Sequence, residues 1–315
     1  MVSAPRALPQ LDGSLFLMDG GMETTLIFLE GVALPHFAAF PLLLQKEGRR
    51  RLQSYFEPFI DTALNRQVGF VLDTPTWRSN TDWGAKLGYS DEQLVDVNRK
   101  AVAWAMDLKA RFSTSTTPIV VNGVVGPRGD GYRVDAKMTA EEAYAYHSPQ
   151  IETFSDAHAE MVSAITMNYV DEAIGIARAA QANDIPSVIS FTVETDGKLA
   201  SGDTLETAIV AVDRATDAAP AYYMVNCAHP THFGNMLSTG AGWTDRVRGI
   251  RANASRKSHA ELDAATELDA GDPQELGRQY RELRRRLPHL SVLGGCCGTD
   301  HRHIVAICDA CATIA

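Results

Sequence analysis

The sequence has few cysteines, no excess of basic residues and no long apolar run, and each lack excludes something. Only five cysteines occur in 315 residues: Cys227, Cys296, Cys297, Cys308 and Cys311. A set this small and odd is not the framework of a disulfide-stapled secreted domain. In a reducing compartment such residues serve as core packing, metal ligands or nucleophiles rather than disulfides. Acidic residues outnumber basic ones, 39 to 29, for a formal net charge of −10. A nucleic-acid binder needs a basic stripe to neutralise phosphates, and none is present. Two arginine clusters, at 49–51 and 284–286, fall in segments of helical period and read as solvated faces. No uninterrupted apolar stretch approaches the roughly 20 residues that span a bilayer. The first ten residues, which include Pro5, Arg6 and Pro9, lack the apolar core of a secretory signal. The expectation is a soluble, cytoplasmic protein that acts on small molecules, possible as a homo-oligomer, with neither nucleic acid nor membrane as partner.

What is present is apolar material in short, regularly spaced runs. Hydrophobic residues make up 45% of the chain, enough for a large buried core. Eight runs read as strands: 15–19, 68–74, 118–125, 160–166, 187–193, 221–226, 247–253 and 291–293. Most are nearly continuous in apolar residues, as strands of a parallel sheet buried on both faces should be. The segments between them carry helix signals. Ser90 with Gln93, Thr139 with Glu142 and Asp203 with Glu206 have the capping-box spacing. Leu94, Val97, Ala101, Ala105 and Leu108 then form one apolar stripe. Asp272-Pro273 opens a helix with Leu276, Tyr280, Leu283 and Leu287 on one face. Polar segment 255–271 reads as a long loop or short helix. Eight strands alternating with helices, with no linker or internal repeat, predict a single-domain (β/α)8 TIM barrel over 1–315. A doubly wound open sheet is the alternative, but no Gly-x-Gly-x-x-Gly opens its first helix.

In a parallel barrel, functional groups gather at the C-terminal ends of the strands. Three such ends are chemically unusual: Asp19-Gly20-Gly21-Met22-Glu23 after the first run, Asn226-Cys227-Ala228-His229 after the sixth, and Gly294-Gly295-Cys296-Cys297-Gly298-Thr299 after the eighth. Adjacent cysteines on a regular strand point to opposite faces, so both sulfurs can reach one point only if the backbone bends, and glycines flank the pair. Cys227, Cys296 and Cys297 together suit a zinc ion (Zn2+) held by three thiolates with the fourth position open, a catalytic rather than a structural arrangement. Cys308-Asp-Ala-Cys311 has redox or zinc spacing, but it lies in the helical segment 303–315 with Ile304 and Ile307 and reads as packing. His229, His232, His301 and His303 lie near the cysteines and read as surface or helix-start residues.

These motifs, through nearly the whole chain and in order, resemble the homocysteine S-methyltransferase family. That group comprises S-methylmethionine-dependent enzymes, betaine–homocysteine methyltransferase and the homocysteine-binding module of cobalamin-dependent methionine synthase. Met18-Asp19-Gly20-Gly21-Met22, Thr74-Pro75-Thr76-Trp77, Tyr146-His147, Thr166 through Glu172-Ala173, Ser190-Phe191, Asn226-Cys227 and Gly294 through Thr299 carry the resemblance. It implies a zinc barrel with Cys227, Cys296 and Cys297 as ligands, and methyl transfer to a zinc-bound thiol in methionine biosynthesis. It also implies that Asp19 helps hold the homocysteine amino group, with backbone amides at Gly20 and Gly21 approaching the carboxylate. The substrate-contact set expected on this basis is Asp19, Gly20, Gly21, Glu23, Thr76, Trp77 and Asn226.

Two positions depart from the family. Ile165 stands where the family has a glutamate that binds the amino group, so Glu194, Glu23 or another acid replaces it, or the acceptor is a different thiol. Trp77 stands where the family usually has tyrosine; it keeps an aromatic wall for a cationic donor but loses the hydroxyl. The chain ends seventeen residues after Gly298, without folate- or cobalamin-binding modules, which points to a small sulfonium donor, S-methylmethionine or S-adenosylmethionine. The alternatives are another thiol acceptor or onium donor, a barrel aldolase or hydrolase using Asp19 and Glu194, and a zinc-holding barrel without turnover. Position 165 is directly testable: Ile165→Glu should tighten homocysteine binding, measured as Kd, whereas unchanged or weaker affinity would mean that the amino group is held by other residues.

Overall fold

The computed structural model describes residues 8–237 and 240–312. All eight expected strands form: β1 (Phe16–Leu17), β2 (Gly69–Asp73), β3 (Ile119–Val125), β4 (Met161–Met167), β5 (Ser187–Phe191), β6 (Tyr222–Asn226), β7 (Val247–Ala252) and β8 (Val292–Gly295). They pair in parallel in chain order, and β8 returns to β1 to close the barrel. An open doubly wound sheet is thereby excluded. Continuous apolar runs are needed because inward side chains fill the barrel and outward ones meet the helices; β3, β4, β5 and β6 are buried at every position.

The strand bounds differ from the sequence reading for local reasons. β1 is only two residues long, because Met18 and Asp19 already lead into the Gly20-Gly21 turn. Glu160 stays outside β4, its carboxylate accepting from Val121 N at 2.9 Å and from Lys109 Nζ at 2.5 Å. β4 also loses register with β5 between Ala164 and Met167, where Thr166 adopts a left-handed φ of 69°.

Helix starts follow the capping signals in two of three cases. Ser90 and Thr139 form complete capping boxes on helices Asp91–Phe112 and Ala140–Asp156. The third is corrected: helix Leu205–Thr216 is capped by Thr204, which accepts from Thr207 N, while Asp203 accepts instead from Ser201 Oγ at 2.7 Å. Thr204 wins because its hydroxyl stands three residues before a free amide, the reach a short cap requires. Asp272 caps Pro273–Arg286 as expected, with Leu276, Tyr280, Leu283 and Leu287 buried. Segment 255–271 is a loop around one short helix, His259–Asp263. Between β6 and β7 lie the four-residue helix Pro230–Phe233 and a 3-10 turn, Thr244–Arg246.

Cys308 and Cys311 face inward on helix His301–Ala312, fully buried, and burial pushes their thiols up to about 11 and about 12. Packing is their role, as the helical spacing indicates; 313–315 lie outside the described residues. The Tyr146-His147 and Glu172 motifs are likewise structural: His147 Nε2 meets Glu172 Oε1 at 2.9 Å, and the same carboxylate oxygen accepts from Arg128 N at 2.8 Å.

Inside the barrel, Phe16, Met18, Val71, Val120, Met161, Val188, Tyr222, Met224 and Val292 form the apolar fill, with Val124 and Ile165 above them. Toward the C-terminal rim the inward residues turn polar, and there Asp73, Asn122, Asn226 and Arg251 are all buried. No helix among the described residues is long and apolar enough to cross a membrane.

Candidate metal centre and substrate cavity

The sulfurs of Cys227, Cys296 and Cys297 lie within 4.8 Å of one another, at the C-terminal ends of β6 and β8, which β7 separates. Among the described residues no histidine or carboxylate joins this cluster. His229 instead caps the Pro230–Phe233 helix, and His303 bonds the Ala270 carbonyl at 2.7 Å. Cys227 and Cys296 are joined as a disulfide and Cys297 is free, which departs from the expectation of unpaired thiols. A disulfide and a shared ion are alternative uses of one convergence, so the pair must be reduced before all three can serve as thiolates.

The backbone solutions are partly those the sequence indicated. Gly298 takes a left-handed φ of 81° and turns the chain back after Cys297. Cys227 itself takes φ 52°, a conformation no neighbouring glycine advertises. Its carbonyl is held by His259 Nε2 at 2.7 Å and Asn253 Nδ2 at 2.9 Å. Asn226 does not line the cavity; its amide is spent on Thr166 N at 3.0 Å, Thr166 Oγ1 at 2.8 Å and Ser190 Oγ at 2.6 Å. It thereby clips the irregular end of β4 to β6 and leaves Thr166 Oγ1 3.9 Å from Cys227 Sγ. Tyr132 covers the other side: its hydroxyl is 3.6 Å from Cys297 Sγ, and its ring stacks on His259 at 3.8 Å. Burial pushes the Cys297 thiol up, and the Tyr132 hydroxyl opposes that rise.

The cluster opens into a cavity of about 680 Å³ lined by Asp19, Gly20, Gly21, Glu23, Thr74, Trp77, Arg78, Ile165 and the three cysteines, among others. Gly20 and Gly21 are demanded by close approach. A Cβ on Gly20 would stand 2.6 Å from Thr299 O, and one on Gly21 2.5 Å from Cys296 O. The Gly21 amide donates to Thr299 O at 3.0 Å, so it is not free for a substrate carboxylate. Thr76 is buried behind the wall, with its hydroxyl 2.7 Å from both Thr74 Oγ1 and Val124 O. Trp77 donates its Nε1–H to Ile165 O at 3.1 Å, and the Arg78 guanidinium occupies one ring face 3.9 Å from the centroid.

Asp19 lines the cavity, but both its oxygens are engaged: Oδ1 by Arg251 Nη2 at 2.6 Å and Oδ2 by the Tyr55 hydroxyl at 3.0 Å. Arg251 also bonds Asp73 Oδ2 at 2.5 Å and Gly295 O at 3.0 Å. Burial pushes the Asp19 carboxyl up to about 7, against the pull of Arg251 and with the push of Asp73. Of the two acids named as replacements for a glutamate at 165, Glu194 is turned toward His259 Nδ1 at 2.7 Å and does not line the cavity, whereas Glu23 does. Sequence reasoning passed over Arg251, Tyr132, His259 and Arg78. A charged residue inside the apolar run 247–253 was the available signal for the first; the others carry none.

Both the sequence family and the fold are shared with known proteins. The family model for homocysteine S-methyltransferase matches residues 16–311, and the chain belongs to that family. Among solved structures, the homocysteine methyltransferase MmuM from Escherichia coli superposes in its oxidised form with a TM-score of 0.76 at 20% identity, covering 97% of this chain and 99% of that one. Its metallated form gives a TM-score of 0.71 at 20% identity over 93% and 95%, and its apo form 0.64 at 19% over 94% and 96%. No curated protein sequence matches the chain.

The buried Arg251 centre yields a stability test. Arg251→Met leaves Asp19 and Asp73 facing one another without their cation, and breaking a buried ion pair in this way costs about 3–5 kcal/mol. Urea unfolding should show a loss of that order; a loss below about 1 kcal/mol, within the range of an ordinary surface pair, would mean that the carboxylates do not depend on the guanidinium.

Proposed function

We propose that this protein transfers a methyl group from a small sulfonium donor to the thiol of homocysteine, with Cys227, Cys296 and Cys297 holding zinc. The observation that carries the reading is the convergence of the three sulfurs in the lining of the cavity, with no fourth protein donor among the described residues. The donor set fits zinc, because soft thiolates select it and a three-ligand site leaves a coordination position for substrate. When bound, zinc supplies the positive charge that keeps a thiol, ordinarily protonated at neutral pH, in its nucleophilic form.

The remaining work belongs to the chain. Thr166 and Tyr132 direct hydroxyls toward the sulfurs of Cys227 and Cys297, which limits the charge those sulfurs carry. His259 and Asn253 fix the Cys227 carbonyl and so the direction of its side chain. The cavity wall, including Trp77 and Ile165, excludes water and aligns the donor with the acceptor sulfur. In the transfer a new S–CH3 bond forms as the donor's S⁺–CH3 bond breaks. The electron pair of the broken bond stays on the donor sulfur, which leaves as a neutral thioether, and the acceptor's thiol proton has gone to solvent before the step.

A different thiol acceptor is favoured by one specific pair of observations: Ile165 lines the cavity where an acid would receive the ammonium, and Asp19 is already occupied by Arg251. The test of the zinc chemistry is metal content with activity. Reduced wild-type protein should bind one zinc per chain and methylate a thiol; Cys297→Ser should lose both. Absence of zinc from the wild type, together with normal transfer by Cys297→Ser, would overturn the reading.

A further inference from the structure

Two charged side chains in the cavity form no ion pair among the described residues. Arg78 follows Trp77 in the loop after β2 and is only 6% exposed. Its guanidinium lies between two indoles, 3.9 Å from the Trp77 centroid and 3.8 Å from that of Trp83. Of its five N–H donors, Nη1 alone is used, to Gly129 O at 2.9 Å, and Nε is buried with nothing to bond. Glu23 lines the same cavity from the turn Met22–Thr24 and forms no ion pair among the described residues; its carboxylate takes a hydrogen bond from its own backbone amide. Burial works against the charge on both; of the surrounding charges, Asp130 and then Glu23 favour the Arg78 cation, and Arg251 and then Arg78 favour the Glu23 anion.

Asp19, Asp73 and Asp130 have partners of their own. Asp19 and Asp73 share Arg251, and Asp130 Oδ1 accepts from the amides of Tyr132 and Arg133 at 2.8 and 3.1 Å. Burying an ion without a counter-ion is costly, and the cost is offset when a ligand brings the opposite charge. A cation and an anion held apart in one cavity call for a ligand carrying both signs at matching separation. Arginine's planar fork suits a carboxylate, and a carboxylate without a counter-ion suits an ammonium.

We propose that Arg78 and Glu23 form a zwitterion clamp for the α-amino acid end of a substrate, Arg78 taking the carboxylate and Glu23 the ammonium. The clamp assigns the amino group to Glu23 in place of position 165, and the carboxylate to a side chain in place of the Gly21 amide. Glu23, Arg78 and the three cysteines line one cavity, so an amino acid held by the clamp has its sulfur end in the same space as the cysteines. Which amino acid uses it rests on the methyl-transfer reading: the thiol acceptor or the sulfonium donor.

Calorimetry on the reduced, zinc-supplemented protein decides both points. The probes are L-homocysteine and S-methyl-L-methionine, with 3-aminopropane-1-thiol and 4-sulfanylbutanoate as homocysteine lacking its carboxylate or its amine, and the corresponding two dimethylsulfonium analogues. Arg78→Gln should weaken one amino acid by about 10–100-fold, the range of a lost charged hydrogen bond, and leave the analogue without a carboxylate unchanged. Glu23→Gln should do the same with respect to the analogue without an amine. The amino acid affected identifies the occupant. On the wild type alone, each truncated analogue of that occupant should bind about 10–100-fold more weakly, a readout independent of whether the variants fold. Wild-type affinity of both variants for both amino acids, or equal binding of whole and truncated ligands by the wild type, overturns the clamp. Discrimination of this kind by a protein that transfers no methyl group would leave the clamp standing and overturn only the methyl-transfer reading.

Discussion

One buried guanidinium organises the mouth of this barrel. Arg251, at the end of β7, reaches Asp19 after β1, Asp73 at the end of β2 and the Gly295 carbonyl at the end of β8. Four strands are thereby tied at the level where the site begins. Gly295 precedes the cysteine pair and Asp19 precedes the glycine turn that packs against it, so the same cation sets both sides of the cavity. The cost of burying it is met by two carboxylates, which is why neither is free for substrate. A site built on such a centre must find its substrate charges elsewhere, and Glu23 and Arg78, which form no ion pair among the described residues, line the same cavity.

Three cysteine sulfurs converge through unlike backbone devices. Cys296 and Cys297 are brought together by a turn that Gly298 permits. Cys227 reaches them by adopting a left-handed conformation held from its carbonyl side by His259 and Asn253. Strain of this kind at a non-glycine residue survives only where the surroundings over-determine it. The irregular end of β4, clipped by Asn226, places the Thr166 hydroxyl against the Cys227 sulfur, so one local distortion supports another.

The barrel was legible because parallel strands buried on both faces leave continuous apolar runs in the sequence, and capping boxes at Ser90 and Thr139 mark helix starts locally. The cysteine cluster was legible because strand ends share one rim. What stayed hidden depends on distant partners. Arg251 pairs with residues 178 and 232 positions away, and no local pattern announces such a contact. Asp19, Gly20 and Gly21 were rightly placed at the rim, but their occupation by Arg251, Tyr55 and Thr299 follows only from packing. Thr76 and Asn226 sit in family motifs and face the scaffold rather than the cavity, because a motif records position along the chain and not the direction of a side chain.

The central claim is that Cys227, Cys296 and Cys297 jointly hold one zinc whose remaining position receives the acceptor's sulfur. X-ray absorption at the zinc edge of the reduced, loaded protein reads this directly. Three sulfur neighbours and one lighter atom are expected without substrate, and four sulfurs once the thiol acceptor is added. Fewer than three sulfurs in the resting protein, or a sulfur count that the thiol leaves unchanged, would contradict it.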